Sequence, residues 1–320
     1  MGMLRDGVTV KPAVHAGWKA VELASRTIRA VVVPELGAKI VSLRYLPTGK
    51  EWLIDPGARA LRKPDYGSAF AEADMSGWDE CFPTIDACAY PADGAYAGRP
   101  LPDHGELWSL PWSADLQEGS LVCTVAGRAL PYAFKRRMFF AADGTLRLEY
   151  TVENRGAEPL AALWTAHPQF RVTEHTRIRL PRSVDRLLCV YGGRTMKAGK
   201  RHAWPEGLDR IGPAERRDSR KLYVDGPVDR GFAGLYEGDD GEYLSMEWAP
   251  EELPYLGVWI DEGGFNDRAV CALEPSNGFY DKLSDAAARG MTLRIPPDGA
   301  AAWRLDVRLG RGSPGELGDG

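Results

Sequence analysis

The stretch 37-GAKIVSLRY-45 alternates apolar and polar side chains with period two. In an extended chain that period sends successive side chains to opposite faces, the pattern of a half-buried β-strand. A Pro/Gly turn, 46-LPTG-49, closes it. Upstream, residues 20–25 and 28–34 read as two short strands, the second rich in β-branched side chains. Downstream come strands at 121–126, 133–140 and 146–154, the last two separated by a turn at Asp143-Gly144. Residues 232–237 and 242–248 flank Gly238-Asp239-Asp240-Gly241, a hairpin signal. Residues 291–295 and 302–309 read as a further pair joined by 296-PPDG-299, and the best helical run, 282–289, is short. Residues 55–75 follow no period and read as a long surface loop, which in a compact domain often carries function. Roughly a dozen and a half strands at hairpin spacing predict an all-β, mostly antiparallel sandwich or barrel. No fixed-period repeat and no linker-like shift in composition interrupts the chain, so residues 1–320 are expected to form one domain, with a frayed Gly-rich tail at 310–320.

Composition narrows the function. The 320 residues are 44% hydrophobic and 27% charged, ordinary for a globular protein. Gly and Pro together make about 18% of the chain, above the usual ~12%, which fits frequent turns. A formal net charge of -5 argues against nucleic acid as a partner, since a polyanion needs a basic surface. No apolar run reaches the ~18 residues of a membrane span. The start, MGMLRDGVTVKP, lacks the apolar core of a secretion signal. The five cysteines, Cys81, Cys88, Cys123, Cys189 and Cys271, are odd in number and form no CxxC, so a reducing cytoplasm is the expected location.

Four segments carry candidate chemistry. In 101-LPDHG-105, His104 precedes a glycine that lets the backbone approach a ligand closely. In 163-LWTAHPQF-170, His167 is held extended by the following proline and has apolar flanks. In 270-VCALEPSNG-278, Glu274 ends an apolar strand, where a carboxylate must be paired or have its pKa raised. Two histidines and a carboxylate at strand ends make either an acid/base set or a two-His, one-carboxylate metal site; spacing alone does not separate these. Taken singly, each also has a structural reading, and His15, His175 and His202 read as solvated loop residues. The fourth segment, 77-GWDECFPTI-85, reads as a loop combining aromatic faces with carboxylates. Trp78, Asp79, Glu80 and Phe82, with Trp108, fit a carbohydrate pocket, because sugars offer C–H faces to rings and hydroxyls to carboxylates.

The ordered set of 31-VVVPELGAKIVSLRYLPTGKEWL-53, LPDHG, WTAHPQF, ALEPSNG and 295-IPPDGAAAWRLDVRL-309 resembles the aldose 1-epimerase (galactose mutarotase-like) superfamily over residues 20–310. That resemblance implies a β-supersandwich, no cofactor, no metal and a small-molecule sugar as substrate. It makes Glu274 the general base on the anomeric hydroxyl and His167 the general acid on the ring oxygen. His104 would hydrogen-bond the sugar beside them, and Asn277 would join the binding residues. The segment GWDECFPTI resembles the hexose-6-phosphate branch, yet His104-Gly105-Glu106-Leu107-Trp108 lacks that branch's phosphate-holding arginine. With Asp79, Glu80 and Glu106 expected nearby, an unphosphorylated sugar fits better, unless Arg171 or Lys39 supplies charge. A non-catalytic carbohydrate-binding protein, a hexose-6-phosphate epimerase, a lyase or hydrolase on this fold, and a metal enzyme are the alternatives.

Overall fold

The computed structural model describes residues 7–91, 93–141, 144–238 and 241–312. Two antiparallel sheets face each other. The larger runs, in spatial order, through Thr9–His15, Trp18–Ala24, Ile28–Val33, Lys39–Tyr45, Trp78–Cys81, Thr165–Pro168, Ala269–Ser276, Tyr255–Glu262, Asp218–Val224, Arg186–Tyr191 and Arg201–Ala203. The second runs through Thr176–Arg179, Gly231–Glu237, Glu242–Trp248, Ala300–Arg311, Leu146–Asn154, Tyr132–Phe140, Ser120–Ala126 and Ser113–Gln117. Among the described residues one short α-helix occurs, Leu283–Ala288, inside the stretch where the sequence places one. No helix there is long and apolar enough to cross a membrane.

Two neighbouring strands of the second sheet obey simple alternation, whereas its strand Gly231–Glu237 is buried throughout. Leu146, Leu148, Tyr150 and Val152 of one strand point into the core with Phe134, Met138 and Phe140 of its neighbour. The larger sheet is buried on both faces at its centre, though not at its edge strand Thr9–His15, and this corrects the half-buried expectation for the strand Lys39–Tyr45: its first five residues are all buried. One face meets the second sheet through Trp78, Leu222, Val258 and Leu273. The other is covered by irregular chain, including residues 55–75 with their two 3₁₀ turns, Gly57–Arg59 and Phe70–Glu72.

Three further expectations change. The segment read as a loop at 77–85 contains the fully buried strand Trp78–Cys81 in the middle of the larger sheet. Consecutive acidic residues disguise it; they point to opposite faces and each finds a cation. The strand Leu293–Ile295 pairs with Leu160–Ala162, not with the strand Ala300–Arg311, which joins Leu146–Asn154 to Glu242–Trp248. Pro296 and Pro297 have no N–H to offer a ladder. The Asn154 amide draws the turn aside by donating to the carbonyls of Ile295 and Pro296, both at 3.1 Å. Finally, Gly310 and Arg311 still belong to that last strand, paired with Tyr243 and Glu242, so the tail does not begin at 310. Residues 313–320 lie outside the described residues, as do Asp143, Asp239 and Asp240 of the expected turns, whose flanking strands pair as anticipated. His15 and His202 lie in edge strands and not in loops.

One ion pair crosses the core. Glu80 and Arg136, both fully buried, meet at 2.7 Å from opposite sheets. Glu80 also accepts from the Tyr150 hydroxyl at 3.0 Å and the Trp164 indole at 2.9 Å. Removing one partner leaves a bare charge in the core. Arg136→Met is expected to lower unfolding free energy by about 3–5 kcal/mol, and the double variant Glu80→Leu/Arg136→Met by less. Urea denaturation of the two variants checks the order.

Candidate active site

On the loop-covered face of the larger sheet, period two brings functional side chains into register. The pairing His167↔Asp79 joins neighbouring strands, as does Gly257↔Glu274. Lys221 lies opposite Trp259, one position along the same face from Tyr223, which is opposite Gly257. The Lys221 and Glu274 side chains therefore reach toward each other across the strand that carries Gly257. A β-carbon at 257 would stand 3.2 Å from Lys221 Cε and 3.3 Å from Glu274 Oε2, so glycine leaves the gap in which the pair forms.

These groups border a cavity of about 320 Å³, at the lower end of the ~300–1,000 Å³ typical of small-molecule sites. His104, His167 and Glu274 all line it, although 63 and 107 positions separate them in the chain. Glu274 is buried; Lys221 Nζ donates to its Oε2, while Oε1 has no hydrogen-bond partner and lies 3.9 Å from His167 Nε2. His167 Nδ1 is 3.3 Å from the Gln169 side-chain nitrogen. With that amide donating to Nδ1, a neutral ring carries its proton on Nε2, toward Glu274; with the amide turned over, its oxygen accepts from the Nδ1–H of a protonated ring. The His104 ring stacks on Phe70 at 4.2 Å and meets His167 edge-on at 4.8 Å, and its Nδ1 is 2.9 Å from Asp103 Oδ1. Gly105 does not bring backbone to a ligand: a β-carbon there would stand 2.1 Å from the carbonyl oxygen of Phe82, so glycine lets the His104 loop lie against that segment.

Burial moves the Glu274 carboxyl and the His167 imidazole in opposite directions. It raises the Glu274 carboxyl above its ordinary value, opposed by Lys221. It lowers His167 well below that of a free histidine, helped by its neighbours His104, Lys221 and Lys39. Burial works against the Lys221 ammonium as well, but the Glu274 and Asp281 carboxylates outweigh it and raise its pKa. Asp281 lies 3.6 Å from Lys221 and accepts from the Tyr223 hydroxyl at 2.8 Å.

None of the six residues read as sugar-binding from the sequence lines the cavity, and Phe82 packs in the core against Tyr132 and Phe134. Trp78 and Glu80 face the core, and Trp108 is buried behind Phe70 with its indole donating to the Asp103 carbonyl. The Asn277 side-chain oxygen accepts from the Trp164 backbone N–H, a structural duty. Asp79 is on the site face but buried beneath the cavity, 3.1 Å from Lys39; burial, opposed by that ammonium, raises its pKa to about 7. Glu106 is likewise spent on the Tyr66 and Tyr132 hydroxyls. The acidic wall consists instead of Asp86, Asp103 and Asp281 with Glu274, against the single lysine Lys221. Neither alternative cation lines the cavity: Lys39 is held by Asp74 and Asp79, and Arg171 by Asp55. The His104, His167 and Glu274 metal set is not what converges most tightly. Cys81, His104 and His167 bring donor atoms within 4.8 Å of one another, but burial keeps the Cys81 thiol pKa well above ordinary, in the protonated form that binds metals poorly.

No protein-family model and no curated protein matches the sequence. Solved structures do match. A galactose mutarotase-like protein from Clostridium acetobutylicum superposes with a TM-score of 0.70 at 13% identity, covering 96% of this chain and 100% of its own. The fold is that of the galactose mutarotase-like proteins. The Slr1438 protein from Synechocystis sp. PCC 6803 gives 0.69 at 16% identity, covering 98% and 99%. A galactose mutarotase related enzyme from Lactobacillus acidophilus gives 0.65 at 14%, covering 97% and 99%. The galactose mutarotase-like β-supersandwich anticipated from the ordered motifs is thus the architecture of this chain.

Among the described residues Lys221 is the ammonium in contact with Glu274, and its removal leaves burial and the neighbouring Asp281 carboxylate, both of which raise that carboxyl's pKa. Lys221→Met is expected to raise the Glu274 pKa further, by a unit or more on the scale typical of a close opposite charge. A ¹³C-carboxyl NMR titration of wild type and variant measures it; an unchanged or lower value contradicts the assignment.

Proposed function

We propose that the protein is an aldose 1-epimerase that interconverts the α and β anomers of an unphosphorylated sugar. The observation that carries this reading is the free Glu274 Oε1 set 3.9 Å from His167 Nε2 on the cavity wall. The two atoms that exchange protons in anomer interconversion, the C1 hydroxyl oxygen and the ring oxygen, hang on the same carbon. An acid and a base must therefore stand close together, and these do.

Glu274 Oε1 takes the C1 hydroxyl proton as the protonated His167 ring, an imidazolium, gives its Nε2 proton to the ring oxygen and is left neutral. The C1–ring-oxygen bond breaks and leaves the open-chain aldehyde. After rotation about C1–C2, the ring hydroxyl attacks the other face of the carbonyl. His167 takes back its proton, and Glu274 returns the other to the new C1 oxygen. The carboxyl raised and the imidazole lowered by burial lie closer in proton affinity than the free side chains, which eases transfer in both directions. His104, held by Asp103 and stacked on Phe70, is placed to hydrogen-bond the sugar at the same centre. The carboxylates Asp86, Asp103 and Asp281 disfavour a phosphate dianion and can accept hydrogen bonds from sugar hydroxyls.

Magnetisation-transfer NMR across a panel of free sugars and glucose 6-phosphate tests the proposal. Glu274→Gln and His167→Asn are each expected to slow catalysed exchange by about 10²–10⁴-fold. Sugar line broadening persists in both. Full exchange in Glu274→Gln removes the assigned base; exchange confined to the phosphorylated sugar removes the neutral-substrate reading.

A further inference from the structure

Three aromatic side chains stand at one end of the cavity and take no part in the proton chemistry: Tyr191, Trp259 and Phe265. Their ring centroids are 6.0 Å apart for Tyr191–Trp259, 5.5 Å for Trp259–Phe265 and 6.2 Å for Tyr191–Phe265. Tyr191 is 43% and Phe265 41% exposed. Both belong to the small set of large apolar side chains on the described surface, and here they stand together, continuous with the cavity that holds Glu274. A grouped, exposed aromatic patch beside a site is a surface that binds something.

The patch is built into the fold. The Asp261 carboxylate accepts from the backbone N–H groups of Gly264, Phe265 and Asn266, which fixes the turn that presents Phe265. Asn266 ties the same turn to the Met75 carbonyl, and Arg59 donates to the Phe265 carbonyl. Tyr191 owes its direction to a register shift. Cys189 pairs with Leu222 on the core side, yet Tyr191 pairs with Lys221, one residue short of regular register. Without that shift, period two would send the Tyr191 ring to the core face with Arg220. The irregularity brings it into one row with Lys221 and Trp259 on the site face.

We propose that Tyr191, Trp259 and Phe265 form a second sugar subsite, so that the preferred substrate is the reducing end of a disaccharide or longer oligosaccharide. This rests on the anomer-exchange reading. That reading commits the anomeric carbon of the first ring to Glu274 and His167 in the inner cavity. Any further sugar must then be linked through one of the other carbons and extend outward. A pyranose carries an apolar C–H face, and the aromatic patch offers the flat surface that such a face covers. The acidic inner wall and the apolar outer patch thus divide the substrate into a ring held through its hydroxyls and a ring held by stacking.

Exchange rates for glucose and galactose are compared with those for maltose, cellobiose and lactose. At least one disaccharide is expected to show a kcat/KM about tenfold above that of its reducing monosaccharide, the equivalent of one well-packed aromatic contact. In Tyr191→Ala/Phe265→Ala that ratio should fall to about one, while Tyr191→Phe retains it. Equal kcat/KM for mono- and disaccharides, or an advantage that survives the double variant, overturns the subsite. Calorimetric titration of the same sugars into wild type and double variant separates the two ideas. Tighter, patch-dependent disaccharide binding without any catalysed exchange supports the subsite while the anomer reading falls. Catalysed exchange with no disaccharide preference in binding or rate does the reverse.

Discussion

Glu80 and Arg136 decide where everything on the opposite face of the larger sheet can lie. Each charge taken alone into the core carries a desolvation penalty of several kcal/mol, and only their contact, with the Tyr150 and Trp164 donors, offsets it. The pair therefore admits one register of the strand Trp78–Cys81. A slip by one residue would drive Asp79 into the core and turn Glu80 toward the cavity. Asp79 opposite His167, and Cys81 opposite Thr165, follow from that single constraint. A stability element in the core thus sets the alignment of a candidate acid on the neighbouring strand.

The site face repeats the motif of a buried lysine between carboxylates. Lys39 sits with Asp74 and Asp79, and Lys221 with Glu274 and Asp281. His167 stands between the two sets and is depressed by both lysines. Only the Lys221 set opens on the cavity. The difference is one of access: the Asp79 oxygens also lack hydrogen-bond partners but do not reach the cavity, whereas Glu274 Oε1 stands without one at the surface of a space large enough for a ligand.

Much of this was readable in the chain. His104, His167 and Glu274 stood out because each is followed by Gly or Pro in a context where the backbone is constrained, and constrained backbone is how a fold aims a side chain. The hairpins were readable from alternation and turn residues. Glu80 was misread because its cation, Arg136, is 56 residues away; a carboxylate beside tryptophan looks the same whether it faces a ligand or an unseen guanidinium. Lys221 was missed for the converse reason. In 218-DSRKLYV-224 the charged half resembles a solvated strand end, yet all seven residues are buried. The signal was present in the length of the strand, since its apolar half alone is too short to cross the sheet. Tyr191 depends on a register shift that no periodicity reveals.

Gly257 has a consequence for how such a site can change over generations. It does not line the cavity, yet it separates Lys221 from Glu274 by the width of a missing methyl group. Enlarging it presses on both members of the ion pair, which themselves line the cavity, and so alters the proton affinity of the carboxylate. Change at Tyr191 or Phe265 alters the aromatic rim and leaves that pair untouched. The two parts of the cavity wall can therefore vary separately: Gly257 and Tyr191 sit on strands with Asp218–Val224 between them, and Phe265 sits in the turn after the strand Tyr255–Glu262.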